Sequence, residues 1–144
     1  MRIVKEDVIN APPEKVFDFV SDPERRPLFI PNLAGISRIS PAQREVGQSW
    51  DYHFSLLGVT LNGTGRCTDY EANRRYALRT EGAVSSTWVY TLTPEGKGTR
   101  LQVEIEYDPP PSVLAQVANT ALLSRMNEND AARGMQNLKI ILED

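Results

Sequence analysis

Alternation of apolar and polar residues is the strongest signal along this chain. It is cleanest over 99–108, where Leu101, Val103, Ile105 and Tyr107 oppose Arg100, Gln102, Glu104 and Glu106. A period of two places each set on one face of a strand. Residues 47–56 behave the same way, with Trp50, Tyr52, Phe54 and Leu56 against Asp51, His53 and Ser55. Over 84–93 one face collects Val84, Ser86, Trp88, Tyr90 and Leu92, and over 59–70 it collects Leu61, Gly63, Gly65 and Cys67. Shorter strands are predicted at 36–39 and at 76–80, where Tyr76 and Leu78 oppose Ala77 and Arg79. Residues 2–10 alternate too, but neither Ile3, Lys5, Asp7 and Ile9 nor Val4, Glu6 and Val8 form an apolar set, so the pattern leaves their orientation open. Turn-forming residues separate these runs at Leu57-Gly58, 71–75, Glu81-Gly82 and 94–98. One polar face per strand predicts an antiparallel sheet covered on one side only.

Two stretches break the alternation. In the first, Asn10-Ala11-Pro12-Pro13-Glu14 opens a short helix whose Val16, Phe17 and Val20 share a face. Proline suits the first helical positions, Asn10 is the expected cap, and Glu14 complements the helix dipole. Asp22-Pro23-Glu24 ends this helix and starts a second, with Ser21 and Glu24 at capping-box spacing. Prolines 27 and 31 then bracket Leu28-Phe29-Ile30, an apolar triplet that is either a plug on the core or the lip of an opening. The second stretch follows Pro109-Pro110-Pro111 and predicts a long helix with Ser112 near its cap. Leu114, Val117, Ala121, Ala131, Met135, Leu138 and Leu142 keep one face, interrupted by Ser124 and Glu128 and loosened by Gly134. Such a helix either covers a partly empty space, or bends there, or shifts its register to Leu122 and Met126.

The segment INAPPEKVFDFVSDPERRPLFIPNL resembles the opening of the START-like, helix-grip superfamily (SRPBCC), and within it the polyketide cyclase/dehydrase and lipid-transport group. The closing run Met135–Glu143 is similar to that family's final turns, so the resemblance spans nearly the whole chain. It implies an α+β helix-grip fold: a curved antiparallel sheet of about seven strands around a long C-terminal helix, with two short helices after the first strand. The order of elements agrees. The resemblance also implies a cavity for apolar molecules, or a cyclase/dehydratase acting on a poly-ketone chain, or a quinone-chaperone or protein-interaction module.

Composition narrows the choice. A chain of 144 residues fits a single domain over 1–144, and roughly 70% of its unfolded surface can be buried at that size. A net charge of −3, with basic residues scattered apart from the pairs Arg25-Arg26 and Arg74-Arg75, argues against nucleic acid. No apolar run reaches the roughly 20 residues of a membrane span. Acidic residues near the N-terminus and the single Cys67 lead to the expectation of a cytoplasmic protein. Cys67 and His53 lack metal-ligand spacing, and neither a metal nor a cofactor is expected. Oligomeric state is not readable.

Chemistry-bearing residues are few. Asp51 and His53, two apart on one strand face, are the candidate acid/base pair, on a face expected to meet solvent. Lys5 and Asp7 are the remaining strand-borne candidates for a cyclase. The aromatic set is fuller: Trp50, Tyr52, Phe54, Tyr76, Trp88, Tyr90 and Tyr107 lie on apolar strand faces. Burying so many OH and NH groups requires partners or a pocket with polar tips. With Phe29, Val103 and Ile105 they are the expected lining of a ligand cavity. Gly63 and Gly65 either leave room on that lining or mark bulges that bend the sheet. The hairpin tip Leu56-Leu57-Gly58-Val59 is apolar enough to predict a contact with a partner, a membrane surface or the chain itself. A small hydrophobic or aromatic ligand is the favoured partner.

Overall fold

Each alternating run becomes a strand. The computed structural model describes residues 1–117 and 119–143, so Ala118 in the expected long helix and Asp144 at the end of the expected domain lie outside the described residues. The strands are β1 (Arg2–Ile9), β2 (Leu33–Ser40), β3 (Ser49–Leu56), β4 (Val59–Glu71), β5 (Arg75–Gly82), β6 (Ser86–Glu95) and β7 (Gly98–Tyr107). They form one antiparallel sheet in the order β1-β7-β6-β5-β4-β3-β2. Consecutive strands from β2 to β7 are neighbours, and β1 closes the far edge by pairing with β7, Arg2 opposite Glu106 and Ile9 opposite Thr99. Register breaks in β2 and β4 bend the sheet, as bulges do.

The helices depart from expectation in detail. Helix α1 (Pro13–Val20) buries Val16, Phe17, Phe19 and Val20, but Pro12 occupies its cap and Asn10 does not; the Asn10 backbone N–H donates to Glu143 Oε2 at 2.9 Å. The next turn, Pro23–Arg25, is 3₁₀, and it is Asp22 that caps it, accepting from the Glu24 N–H at 3.0 Å; Ser21 is not the cap. A four-residue α2 (Arg26–Phe29) follows directly. At the other end, the single long helix expected from Ser112 is divided. A short α3 (Pro111–Leu114) precedes α4 (Thr120–Leu142), whose cap is Asn119, accepting from the Leu122 N–H at 2.8 Å. The division changes which side chains face inward: Leu123 is buried, whereas Leu114, Ala121 and Leu122 are exposed. The expected shift to Leu122 does not occur.

Helix α4 lies over the sheet and buries Leu123, Met135, Leu138 and Leu142. Side chains pin it at several points. Lys5 pairs with Glu128 at 2.6 Å and Lys139 with Asp7 at 3.4 Å, so the open question of β1 resolves with Ile3 and Ile9 buried and Lys5 and Asp7 tied to α4. Asn137 Nδ2 donates to the Phe29 carbonyl at 3.1 Å, anchoring α2 beneath the same helix. A second, smaller apolar cluster joins Leu56 and Leu61 to Val113 and Leu123. The β3–β4 hairpin tip is thus apolar because the chain itself covers Leu56; Leu57, at positive φ, remains 38% exposed.

Candidate functional site

Between the sheet and α4 the core is incomplete, and a cavity of about 180 Å³ remains. Its floor is built from residues of all seven strands: Trp50, Tyr52, Phe54 and Leu56 from β3, Leu61 from β4, Leu78 and Thr80 from β5, Ser86, Trp88 and Tyr90 from β6, and Leu101, Val103, Ile105 and Tyr107 from β7, with Ile3 of β1 and Leu33 and Ile36 of β2. Arg26 and Phe29 of α2 close one flank; Asn127, Asp130, Ala131 and Met135 of α4 form the roof. Half-buried members occur on several parts of the wall, among them Ile30, Leu33, Phe54, Trp88, Tyr107 and Asp130. Within the triplet between the prolines, Phe29 is a plug at 3% exposure, the half-buried Ile30 borders the same cavity, and Leu28 is exposed.

Of the aromatic set, Phe29, Trp50, Tyr52, Phe54, Trp88, Tyr90 and Tyr107 border the cavity, as do Val103 and Ile105. Tyr76, Gly63 and Gly65 do not. Tyr76 lies wholly buried behind the wall, edge-on to Phe17 and Tyr70, with its hydroxyl unpartnered among the described residues. The glycines leave no open room, because the aromatic rings opposite them occupy it. Trp50 pairs across the strands with Gly65 and Tyr52 with Gly63, and a Cβ at either glycine would fall within 2.6 Å of those rings. The glycines let two large rings lie flat on the sheet and so shape the floor.

The candidate acid/base pair does not assemble. Asp51 and His53 stand on the opposite face of β3, Asp51 beside Arg38 at 3.5 Å. Both nitrogens of His53 are occupied, Nε2 by Ser37 Oγ and Nδ1 by Asn62 Oδ1, each at 3.1 Å. Arg79 is exposed beside Glu81. Among the described residues no group of His, Cys, Asp and Glu is arranged to hold a metal ion, and no helix is long and apolar enough to cross a membrane.

Polar atoms on the wall are mostly satisfied within the protein. The Tyr52 hydroxyl accepts from the Val84 N–H at 3.0 Å and lies 3.3 Å from the Glu81 carbonyl. Trp88 Nε1 donates to Ser86 Oγ at 3.1 Å, and Ser86 shares a hydrogen bond with Thr80 Oγ1. Tyr107 Oη meets Asn127 Nδ2 and Met1 Sδ. Burial raises the Tyr52 hydroxyl above its ordinary pKa, against a lowering by the Val84 bond, and pushes Tyr107 up to about 12. Both remain protonated phenols at neutral pH, hydrogen-bonding groups and not bases. On the roof, Asp130 accepts from Asn32 Nδ2 at 3.3 Å, and burial raises its carboxyl against the pull of Arg133.

Arg26 is the feature that pattern reading missed. Only 3% exposed, its guanidinium stands over Trp88 at 5.0 Å and Tyr90 at 5.8 Å and donates to Tyr90 Oη at 3.3 Å. Its neighbour Arg25 points outward to Asp18 and Asp22. The signal was spacing: Arg26 lies three residues before Phe29, hence on the same helical face.

An antiparallel sheet gripping one C-terminal helix over an apolar cavity defines the START-like, helix-grip class. Residues 1–143 match the polyketide cyclase / dehydrase and lipid transport family, and the chain belongs to it. Comparison with curated proteins gives no match. Similar solved structures include a conserved protein from Geobacillus kaustophilus (TM-score 0.81, 14% identity, 99% of this chain and 95% of that one). A START superfamily protein from Mycobacterium smegmatis has a TM-score of 0.78 at 15% identity, covering 99% of this chain and 97% of that one. The di-domain ARO/CYC StfQ from the steffimycin biosynthetic pathway has a TM-score of 0.74 at 13% identity, over 99% of this chain and 51% of that one. At such identities the likeness is one of fold alone.

Proposed function

We propose that the protein binds or carries a small hydrophobic or aromatic molecule in the cavity between the sheet and α4. The observation that carries this reading is the cavity itself: about 180 Å³, floored by aromatic and aliphatic side chains, with most of its polar atoms already bonded to the protein. An apolar cavity of about 150 Å³ is enough to hold benzene, so this one suits a single ring with a short substituent. An interaction module without a ligand fits less well, because Phe29 and Leu56 are buried and the interior is not full. A cyclase/dehydratase, the activity suggested by the family and by the ARO/CYC neighbour, needs an acid and a base facing the substrate. Asp51, His53 and Arg79 face away from the cavity, Lys5 and Asp7 are held by α4, and the charged side chains on the wall are Arg26, a guanidinium that keeps its proton, and Asp130.

The chain's two tryptophans, Trp50 and Trp88, both border the cavity, so their fluorescence reads occupancy. Titration with 3-phenylpropan-1-ol should give a saturable change. About ten heavy atoms at roughly 0.6 kcal/mol each give about −6 kcal/mol, a Kd on the order of tens of micromolar. Ala131→Phe, which fills the roof, should abolish the change and leave the circular dichroism spectrum intact. Saturation that survives Ala131→Phe, or no binding by any apolar probe, would refute the proposal.

A further inference from the structure

Arg26 is a buried cation without a counter-ion. Among the described residues its one hydrogen-bond partner is the neutral Tyr90 hydroxyl, and no carboxylate comes within 4.0 Å. A guanidinium has five N–H donors, and one bond with two ring faces satisfies only part of them. Removing a charge from water is costly unless an opposite charge meets it. The side chains around it carry no negative charge: Phe29, Trp88 and Tyr90 border the cavity with it, and the Tyr76 phenol lies near enough to feel its charge. The side chain is also held in place: Trp88 and Tyr90 fix the plane of the fork, and Asn137 fixes the backbone of α2 at Phe29.

Resting on the reading of the cavity as a ligand site, we infer that its ligand is an organic acid, a one-ring or short-chain carboxylate whose head group pairs with Arg26. The guanidinium fork matches a carboxylate in two parallel hydrogen bonds. The apolar body then lies on Trp50, Leu78 and Ile105, and the ring stack of Arg26 on Trp88 is kept. The other charged side chain on the wall, Asp130, is half-buried and bonded to Asn32, and it is not within ion-pair distance of Arg26.

The test compares 3-phenylpropionate with 3-phenylpropanamide, equal in size and differing in charge, by tryptophan fluorescence on the intact protein at pH 7. Charge-assisted bonding in a dry site predicts that the acid binds about tenfold or more tighter. In Arg26→Gln the ratio of acid to amide affinity should fall to about one, and Arg26→Lys should keep part of the preference. Equal binding of acid and amide to the wild type would overturn the inference and leave the cavity reading standing, as would a preference that persists in Arg26→Gln. If neither compound binds and 3-phenylpropan-1-ol also fails, both readings fall. Because the wild-type comparison decides by itself, a variant that does not fold leaves the test intact.

Discussion

Adding a methyl group at Gly63 or at Gly65 is the same chemical change, yet the two should have different consequences. At Gly65 the new Cβ would stand 2.5 Å from Trp50 Nε1 and 2.6 Å from its Cε2. Carbon contacts settle near 3.5 Å, so the ring must withdraw by about 1 Å. It can do so, because the cavity lies on its far side. Overpacking costs about 1–3 kcal/mol, and replacing a strand glycine returns about 0.5–1 kcal/mol. The net loss for Gly65→Ala is about 1 kcal/mol, with the lost space appearing as weaker binding of an apolar probe. At Gly63 the Cβ would lie 2.1 Å from the Glu81 carbonyl oxygen, on the neighbouring strand, as well as 2.6 Å from Tyr52 Oη. A backbone atom paired into the sheet has nowhere to retreat, so Gly63→Ala should cost about 3 kcal/mol or more by parting β4 from β5. Urea denaturation followed by tryptophan fluorescence measures both losses. At roughly 3 °C per kcal/mol for a chain of this size, the midpoint temperature should fall about 10 °C for Gly63→Ala and about 3 °C for Gly65→Ala. Equal losses, or a Gly65→Ala protein with unaltered probe affinity, would refute the idea that the floor rings lean on glycine and border real space.

Two further outcomes follow from local structure. Leu57 has φ of 53° in the two-residue β3–β4 turn before Gly58, a conformation that Asn tolerates and Leu does not. Leu57→Asn should raise stability by about 0.5–1 kcal/mol, seen as a higher urea midpoint; a decrease would mean that the half-exposed Leu57 packs more strongly than it strains. Cys67 is buried, and desolvation pushes its thiol from 9.0 up to about 11, against a lowering by the Asp69 carbonyl bond. A raised folded pKa means that the folded state holds the proton more tightly. The contribution is complete below about pH 9 and is lost as pH rises toward 11. The urea midpoint should therefore fall over that interval in the wild type and fall less in Cys67→Ala; parallel curves would count against the assignment.

How much was legible in the sequence differs between fold and site. Most of the strands were readable because one wet and one dry face impose a period of two, clearest over 100–107, whereas β1 alternates without an apolar set and its orientation was open. The ends of helices were less readable. Asn10, Ser21 and Ser112 all have cap-forming side chains, yet Pro12, Asp22 and Pro110 take those positions. Cap choice depends on where the preceding strand delivers the chain: α1 begins at Pro13, three residues past Asn10, whose backbone N–H is bonded to Glu143, more than a hundred residues away in sequence. The polar middle of the last helix was visible too, in Ser124 and Glu128, but which side chains it turned inward awaited the division between α3 and α4.

The sequence by itself determined the fold class, the antiparallel sheet, the inward faces of β3, β6 and β7, and the outward placement of Asp51 and His53. The fold class came from the family resemblance together with the order of elements; the strand faces follow from local periodicity, which β3, β6 and β7 carry within their own residues. Tertiary structure alone decided that an unfilled space remains under α4, that Tyr76 lies behind its wall, and that the glycines support rings instead of opening room. It also decided that of two adjacent arginines Arg25 meets carboxylates in water while Arg26 enters the apolar wall without one. Volume and charge balance are sums over residues brought together from α2, β3, β6, β7 and α4, and no single stretch of the chain contains them.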